Sequence, residues 1–260
     1  MAGTRQRLDI ALTARGLVRS RADARRAIEA GLVTIGDRRA AKASEPVGDD
    51  ETIVLTGPLH PYVSRGGLKL AHALDHFAIP VEGRLALDVG ASTGGFTDVL
   101  LRRGARRVYA VDVGHGQLDA GLRGDPRVVS LERLNVREID AAQVPEPVDL
   151  IVCDVSFIGL RVALPAALAL AAPGANLVAL IKPQFEVGPA GVGKGGIVRD
   201  AALQRAACES IRDWLGAQPG WTVRGVIDSP IEGGDGNREF LIAAHRSSAI
   251  PSDARDPRPD

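Results

Sequence analysis

The chain has 260 residues, 45% hydrophobic and 25% charged, with 32 Lys+Arg against 32 Asp+Glu. At ~150 residues per domain this makes one large domain, or one medium domain with a small companion, and enough chain to bury ~70% of its unfolded surface without a disulfide or metal staple. Cys153 and Cys208 show no paired spacing, which argues against a secreted disulfide framework and a zinc ribbon. MAGTRQRLDI reaches charge too early for a signal peptide, so a cytoplasmic protein is expected. The zero net charge hides an asymmetry: residues 1–42 hold ten cations and four anions, a surplus of +6 that suits a polyanion partner. Aromatics, at 3%, are too few to make base stacking the main mode of nucleic-acid binding.

In chain order, Leu8, Ala11 and Leu12 form a helical stripe ended by Gly16, and Ser20 caps a helix over 21–30 that Gly31 stops. The runs 32–35 and 52–55 read as strands and complete a first domain over 1–55. Residues 56–64, rich in Pro and Gly and without a period, read as a linker. A second domain over 65–246 begins with a helix at 67–77. Strands follow at about 84–89, 107–112, 128–131, 148–154, 177–182, 221–228 and 239–244, with helices between, among them 95–103 and 198–217. The alternation predicts an α/β fold with a doubly wound, mostly parallel, seven-stranded sheet. About ten residues join the last two strands, too few for a crossover, so the final strand is expected to be antiparallel. The uncharged stretch Val162 to Ile181 has the length of a membrane span, but Pro165, Pro173, Gly174 and Asn176 divide it into a buried helix over about 159–172, a turn and a strand. Residues 247–260 read as a disordered tail by composition.

In an open α/β sheet ligands bind outside the carboxyl ends of the parallel strands. Asp88, Asp112, Asp154 and Lys182 fall on that edge, and an antiparallel final strand would begin there at Glu239. The loop Asp88-Val-Gly90-Ala-Ser92-Thr-Gly94-Gly95 lets backbone approach a ligand at the positive end of a helix. Asp112, 24 residues beyond Asp88, can accept hydrogen bonds from ribose hydroxyls. These residues indicate a nucleoside cofactor without choosing between NAD and S-adenosylmethionine. An NAD-linked oxidoreductase is weakened by Ser92, which replaces the middle glycine of G-x-G-x-x-G, and by the lack of a substrate domain. Gly188 to Lys194 fits GxxxxGK without the Ser or Thr that binds Mg²⁺, and reads as a mobile lid whose Lys194 touches phosphate. His72 and His76 lack a third ligand, so no metal is expected. Only Lys42, Lys69, Lys182 and Lys194 are lysines among 32 cations. Lysine can give up its proton where arginine cannot, which singles out Lys182 at a buried strand end.

The pattern R-L-D-x-x-L-x-x-x-G-L-x-x-S-R-x-x-A-x-x-x-I-x-x-G-x-V at 7–33 resembles an S4 RNA-binding domain. DVGASTGGFTD (88–98), DVSFI (154–158), IKPQFEVG (181–188) and GNREF (236–240) resemble the TlyA family of ribosomal RNA 2′-O-methyltransferases, whose catalytic domain is of the FtsJ type. The resemblance spans 5–246 and implies a small S4-like α+β domain followed by a Rossmann-like class I methyltransferase domain using S-adenosylmethionine. It also implies a Lys–Asp–Lys–Glu tetrad, which motif position puts on Lys69, Asp154, Lys182 and Glu239; Lys69 comes from the resemblance alone. Asp88, Gly90, Ser92, Gly94, Gly95, Asp112, Asn135 and Asp154 are the cofactor-binding set. Arg7, Arg21, Lys42, Arg65, Arg137 and Lys194 are the RNA-binding set. Lys182 is expected to act as base or orienting group for the ribose hydroxyl, with Asp154 and Glu239 holding the two amines. The implied partner is ribosomal RNA in the 30S and also the 50S subunit, with cytidine as the target and no membrane or metal involved. A membrane-active haemolysin, a label this family has carried, is the competing reading; the sequence offers it no span and no strongly amphipathic basic helix. Tyr62 and Leu59 depart from the family pattern, which has tryptophan and a basic residue there.

Overall fold

The computed structural model describes residues 5–18, 20–57, 60–233 and 236–248, and the chain divides into two compact units, 1–61 and 62–260. Leu59 and the tail beyond residue 248 lie outside the described residues.

The first unit comprises β1 (Gln6–Arg7), α1 (Leu8–Ala14), α2 (Arg21–Glu29), β2 (Val33–Ile35), β3 (Arg38–Arg39), β4 (Pro46–Val47) and β5 (Ile53–Leu55). Ser20 Oγ accepts a hydrogen bond from the Asp23 amide at 3.1 Å and so caps α2. Strand β2 lies between β3 and β5, antiparallel to both, while β1 pairs with β4. The strands β1, β3 and β4 go beyond the sequence expectation, because two residues carry too little periodicity to announce a strand. Leu8, Leu12, Ala24, Ile28, Val33, Val47 and Ile53 close the core, so helical and strand apolar positions meet inside one small unit.

The second unit comprises α3 (Gly66–His76), β6 (Leu85–Val89), α4 (Gly95–Arg102), β7 (Arg107–Asp112), α5 (Ala120–Arg123), β8 (Val128–Glu132), β9 (Val148–Cys153), α6 (Leu160–Ala169), β10 (Ala171–Ile181), α7 (Pro183–Glu186), α8 (Ala201–Gly216), β11 (Trp221–Asp228) and β12 (Phe240–Arg246). Its seven strands run in the order β11-β12-β10-β9-β6-β7-β8. Strand β12 is antiparallel to both neighbours, and every other adjacent pair is parallel. Successive residues of the central strands feed opposite faces. Leu85, Leu87, Ile151 and Leu177 pack with α6 and α8, and Ala86, Leu150, Val152 and Val178 pack with α3 and α4. The result is a sheet covered on both sides, as a parallel sheet requires.

One strand differs from its expectation. The turn predicted before residue 177 is absent, and β10 starts at Ala171, paired with Val148. Pro173 and Gly174, with φ +80° at the glycine, sit in a bulge before pairing resumes at Asn176. A bulge tolerates both proline's missing donor and a left-handed residue without ending the strand. Among the described residues no helix is long and apolar enough to cross a membrane.

Candidate active site

Strand β6 lies between β7 and β9, so the crossovers leave it in opposite directions and open a crevice at its carboxyl end. Asp112 ends β7, Asp154 follows β9, and Lys182 follows β10. Because β12 is antiparallel and Phe240 lies opposite Ile181, Glu239 comes to the same edge. Gly90 leaves β6 with φ +84°, and a Cβ there would stand 2.5 Å from the Asp154 carbonyl oxygen. Only glycine lets the two strand ends approach so closely.

Lys69 reaches this edge from the other side of the crevice. The start of α3 packs on the start of α4 so tightly that a Cβ on Gly95 would lie 2.1 Å from Ser64 Oγ and 3.1 Å from the Gly67 nitrogen. That contact sets Lys69 beside Glu239, where Nζ donates to Oε2 in a pair whose side chains are 6% and 4% exposed. Lys182 Nζ lies 2.7 Å from Asp154 Oδ1, with 10% and 22% exposure. This second contact lacks hydrogen-bond geometry at Asp154 Oδ1 and is an ion pair only; the directed hydrogen bond from Lys182 Nζ goes to Ser156 Oγ at 2.8 Å. All four tetrad residues line one cavity of about 310 Å³, with Arg65, Gly90, Ser92 and Gly95.

A second cavity of about 570 Å³ shares Gly90, Ser92, Asp154 and Ser156 with the first, so the two are continuous. Its floor holds Asp112, whose Oδ2 accepts from the Ser92 amide at 2.8 Å and Oδ1 from the Gly114 amide at 2.7 Å. Val113, Val136 and Ile158 make it partly apolar, and Asn135 and Arg137 lie at its wall. Asn135 Oδ1 is taken up by the Arg137 amide at 3.1 Å. Volume, apolar lining and a carboxylate at one end fit a nucleoside.

Asp88, near the end of β6 and two residues before Gly90, has no exposure and lines neither cavity. Its Oδ2 accepts from Thr97 Oγ1 at 2.6 Å, while Oδ1 has no partner among the described residues. Burial pushes this carboxyl up to about 7, against the Thr97 hydrogen bond and with help from the negative charge of Asp154. Gly94, with φ +94°, caps α4 and lines neither cavity.

The RNA-binding candidates are dispersed. Lys42 and Lys194 are exposed and line neither cavity. Arg7 and Arg21 each reach Asp9 at 2.9 Å, and Arg25 reaches it at 3.8 Å. Asp9 itself is fully buried, and the Arg7 hydrogen bond above all holds its carboxyl well below the usual range. The rings of His72 and His76 lie 6.3 Å apart, tilted at 43° to each other, and among the described residues no group of three or more metal-ligating side chains gathers anywhere. Sequence reasoning missed Ser156, Thr97 and Gln117, whose Oε1 accepts from Ser92 Oγ at 3.2 Å. Ser156 and Thr97 stand inside the motifs quoted for the family and carried a signal; Gln117 had none.

Residues 62–246 match the FtsJ-like methyltransferase family, and residues 6–53 match the S4 domain. The protein "16S/23S rRNA (cytidine-2′-O)-methyltransferase TlyA" of Mycobacterium tuberculosis is 47% identical over 239 residues, 92% of this chain and 89% of that protein. This chain belongs to the TlyA family of FtsJ-like methyltransferases. Another similar protein, "Hemolysin A" of Brachyspira hyodysenteriae, is 40% identical over 90% of this chain and 98% of its own length. A solved hemolysin-type structure from Streptococcus thermophilus superposes with a TM-score of 0.74 at 41% identity, covering 94% of this chain and 90% of that one. Membership bears on the cofactor question that the Gly-rich loop left open: a methyltransferase family of this kind implies the use of S-adenosylmethionine.

Proposed function

We propose that this chain methylates the ribose 2′-hydroxyl of cytidines in ribosomal RNA of the small and the large subunit. The observation that carries the reading is the pair of continuous cavities, one nucleoside-sized and one walled by two lysines and two carboxylates. The M. tuberculosis relative supplies the acceptor class by its name. Asp112 would hold the cofactor ribose, Val113, Val136 and Ile158 its base, and Gly90, Ser92 and Asp154 the amino-acid end. Asp88, buried two residues before Gly90, would add negative charge behind that loop. When bound, S-adenosylmethionine supplies an activated methyl group on a cationic sulfur.

The chain's own residues act on the acceptor. A ribose hydroxyl is a poor nucleophile until its proton is shared or lost. Lys182 Nζ lines the smaller cavity and is set to orient that hydroxyl and take its proton. Asp154 and Ser156 hold this amine, and Glu239 holds Lys69 behind it. Positioning of this kind supplies much of the rate in a displacement reaction. The S4 unit would bring phosphate contacts through Arg7, Arg21 and Lys42, and Arg65, Arg137 and Lys194 would add others from the catalytic unit. Action on ribosomal RNA would be cytoplasmic.

The test is a map of 2′-O-methylation on ribosomal RNA from cells with and without the protein, joined to calorimetry of the full chain. Loss of methyl groups at cytidines and heat with S-adenosylmethionine are expected. Heat with NAD alone, or an unchanged map, overturns the reading. The name of the B. hyodysenteriae relative raises membrane lysis as a second reading. Lysis by a protein carrying Lys182→Arg would separate that role from methyl transfer.

A further inference from the structure

We propose that Ser156 is a positioning residue: its hydroxyl fixes the direction of the Lys182 amine, while Asp154 fixes only its charge. The proposal rests on the function assigned above and goes beyond the tetrad, which does not contain Ser156.

The two contacts of Lys182 differ in kind. Asp154 Oδ1 stands at 2.7 Å but outside hydrogen-bond geometry, so the attraction is Coulombic and weakly directional. Ser156 Oγ, at 2.8 Å, accepts a directed bond from Nζ. Lysine carries its charge on a flexible four-carbon stem, and a charge partner alone leaves the rotamers of that stem free to trade places. Lys69 needs no such help, since its carboxylate partner Glu239 supplies both charge and direction in one hydrogen bond within a tightly enclosed pair.

The backbone aims Ser156 at this task. Asp154 and Ser156 both stand on the segment leaving β9, and the next residue, Phe157, takes φ +68°, a left-handed conformation that a phenylalanine rarely adopts. Asp154 is tied down by its amide, which donates to the Val89 carbonyl at 2.9 Å. Ser156 therefore sits between an anchored residue and a sharp reversal. It borders both cavities, so its hydroxyl stands where the methyl donor and the acceptor hydroxyl would meet. A hydroxyl accepts from an ammonium and also donates to a neutral amine, so it can keep its hold on Lys182 in either protonation state. A carboxylate can only accept, and it loses its charge attraction once the amine is neutral.

Ser156 is exposed, so truncating it touches no core packing. The experiment uses the full-length protein, wild type and with Ser156→Ala or Ser156→Thr, in single-turnover methyl transfer to purified ribosomal subunits across pH, with cofactor affinity measured by calorimetry. Ser156→Ala is expected to slow transfer at saturating substrates by ~10–100-fold, the rate equivalent of one hydrogen bond to a charged group. Its cofactor Kd and RNA KM should stay within about twofold of wild type, which marks a loss confined to the reacting state. Ser156→Thr, which keeps the hydroxyl, should restore the rate to within about threefold and keep the wild-type pH profile, whereas the alanine variant should displace it. Three results overturn the proposal: a wild-type rate for Ser156→Ala, a loss that appears only in cofactor Kd, or a threonine variant as slow as alanine. The wild-type lane separates this failure from that of the function itself. A wild type that transfers no methyl group to ribose sinks both, and an active wild type with an equally active alanine variant sinks only the role of Ser156.

Discussion

In the N-terminal unit one buried carboxylate, Asp9, gathers Arg7, Arg21 and Arg25, whose side chains remain 44%, 52% and 56% exposed. In the catalytic unit two lysines are themselves enclosed, and each meets a carboxylate of its own. The same device, acid against base, serves opposite ends. Around Asp9 the anion is hidden and the cations face out, so the surface shows a net positive cluster of guanidiniums that never lose their protons. Around Lys182 and Lys69 the cations are withdrawn from water and line the cavity. The first arrangement suits a phosphate backbone; the second suits chemistry on a hydroxyl.

The comparison is tested most severely at Lys182. If proton exchange is the reason for lysine there, Lys182→Arg lowers single-turnover methyl transfer by ~10²–10⁴-fold while cofactor affinity measured by calorimetry is retained. A rate within a few-fold of wild type would make the tetrad a scaffold. At the enclosed pair the effect moves to stability. Lys69→Ala leaves Glu239 buried and unpaired and should cost ~3–5 kcal/mol, read from denaturant unfolding. The double replacement Lys69→Met with Glu239→Leu should recover most of it, because an apolar pair of similar volume needs no desolvation.

Buried carboxylates also set opposite pH signs in the two units. Asp9 is held below its ordinary pKa, so its contribution is fully present above pH ~4 and is lost as the pH falls through its folded value. Asp88 is raised to about 7, so the folded state binds the extra proton, and stability is lost as pH rises from ~4 to about 7. Melting curves of the cofactor-free protein should therefore decline across that window by a few kcal/mol, because each tenfold gain in proton affinity on folding is worth ~1.4 kcal/mol. Asp88→Asn should flatten the decline. The smallest effect belongs to the arginine surface. Arg7→Ala with Arg21→Ala should reduce the slope of log affinity for ribosomal RNA against log salt by about two, with cofactor binding unchanged. An unaltered slope would mean that Asp9 holds these arginines for folding alone.

Much of the catalytic unit was legible because parallel strands advertise themselves. Alternating faces of Leu, Ile, Val and Ala mark a sheet covered on both sides, and acids at Asp88, Asp112 and Asp154 mark strand ends where burial without purpose would be costly. The short strands β1, β3 and β4 and the bulged start of β10 were not legible, since their pairing depends on partners far away in sequence. The sequence by itself determined the order of elements, the carboxyl edge and the residue types on it, because each follows from local periodicity and from the direction of chain travel. Only the tertiary structure decided which amine meets which carboxylate. Lys69 comes to Glu239 through the close packing of two helix starts at Gly95, and Lys182 takes its direction from Ser156 rather than from Asp154. Such pairings are set by ångström-scale distances between segments up to 170 residues apart, and no periodicity along the chain encodes them.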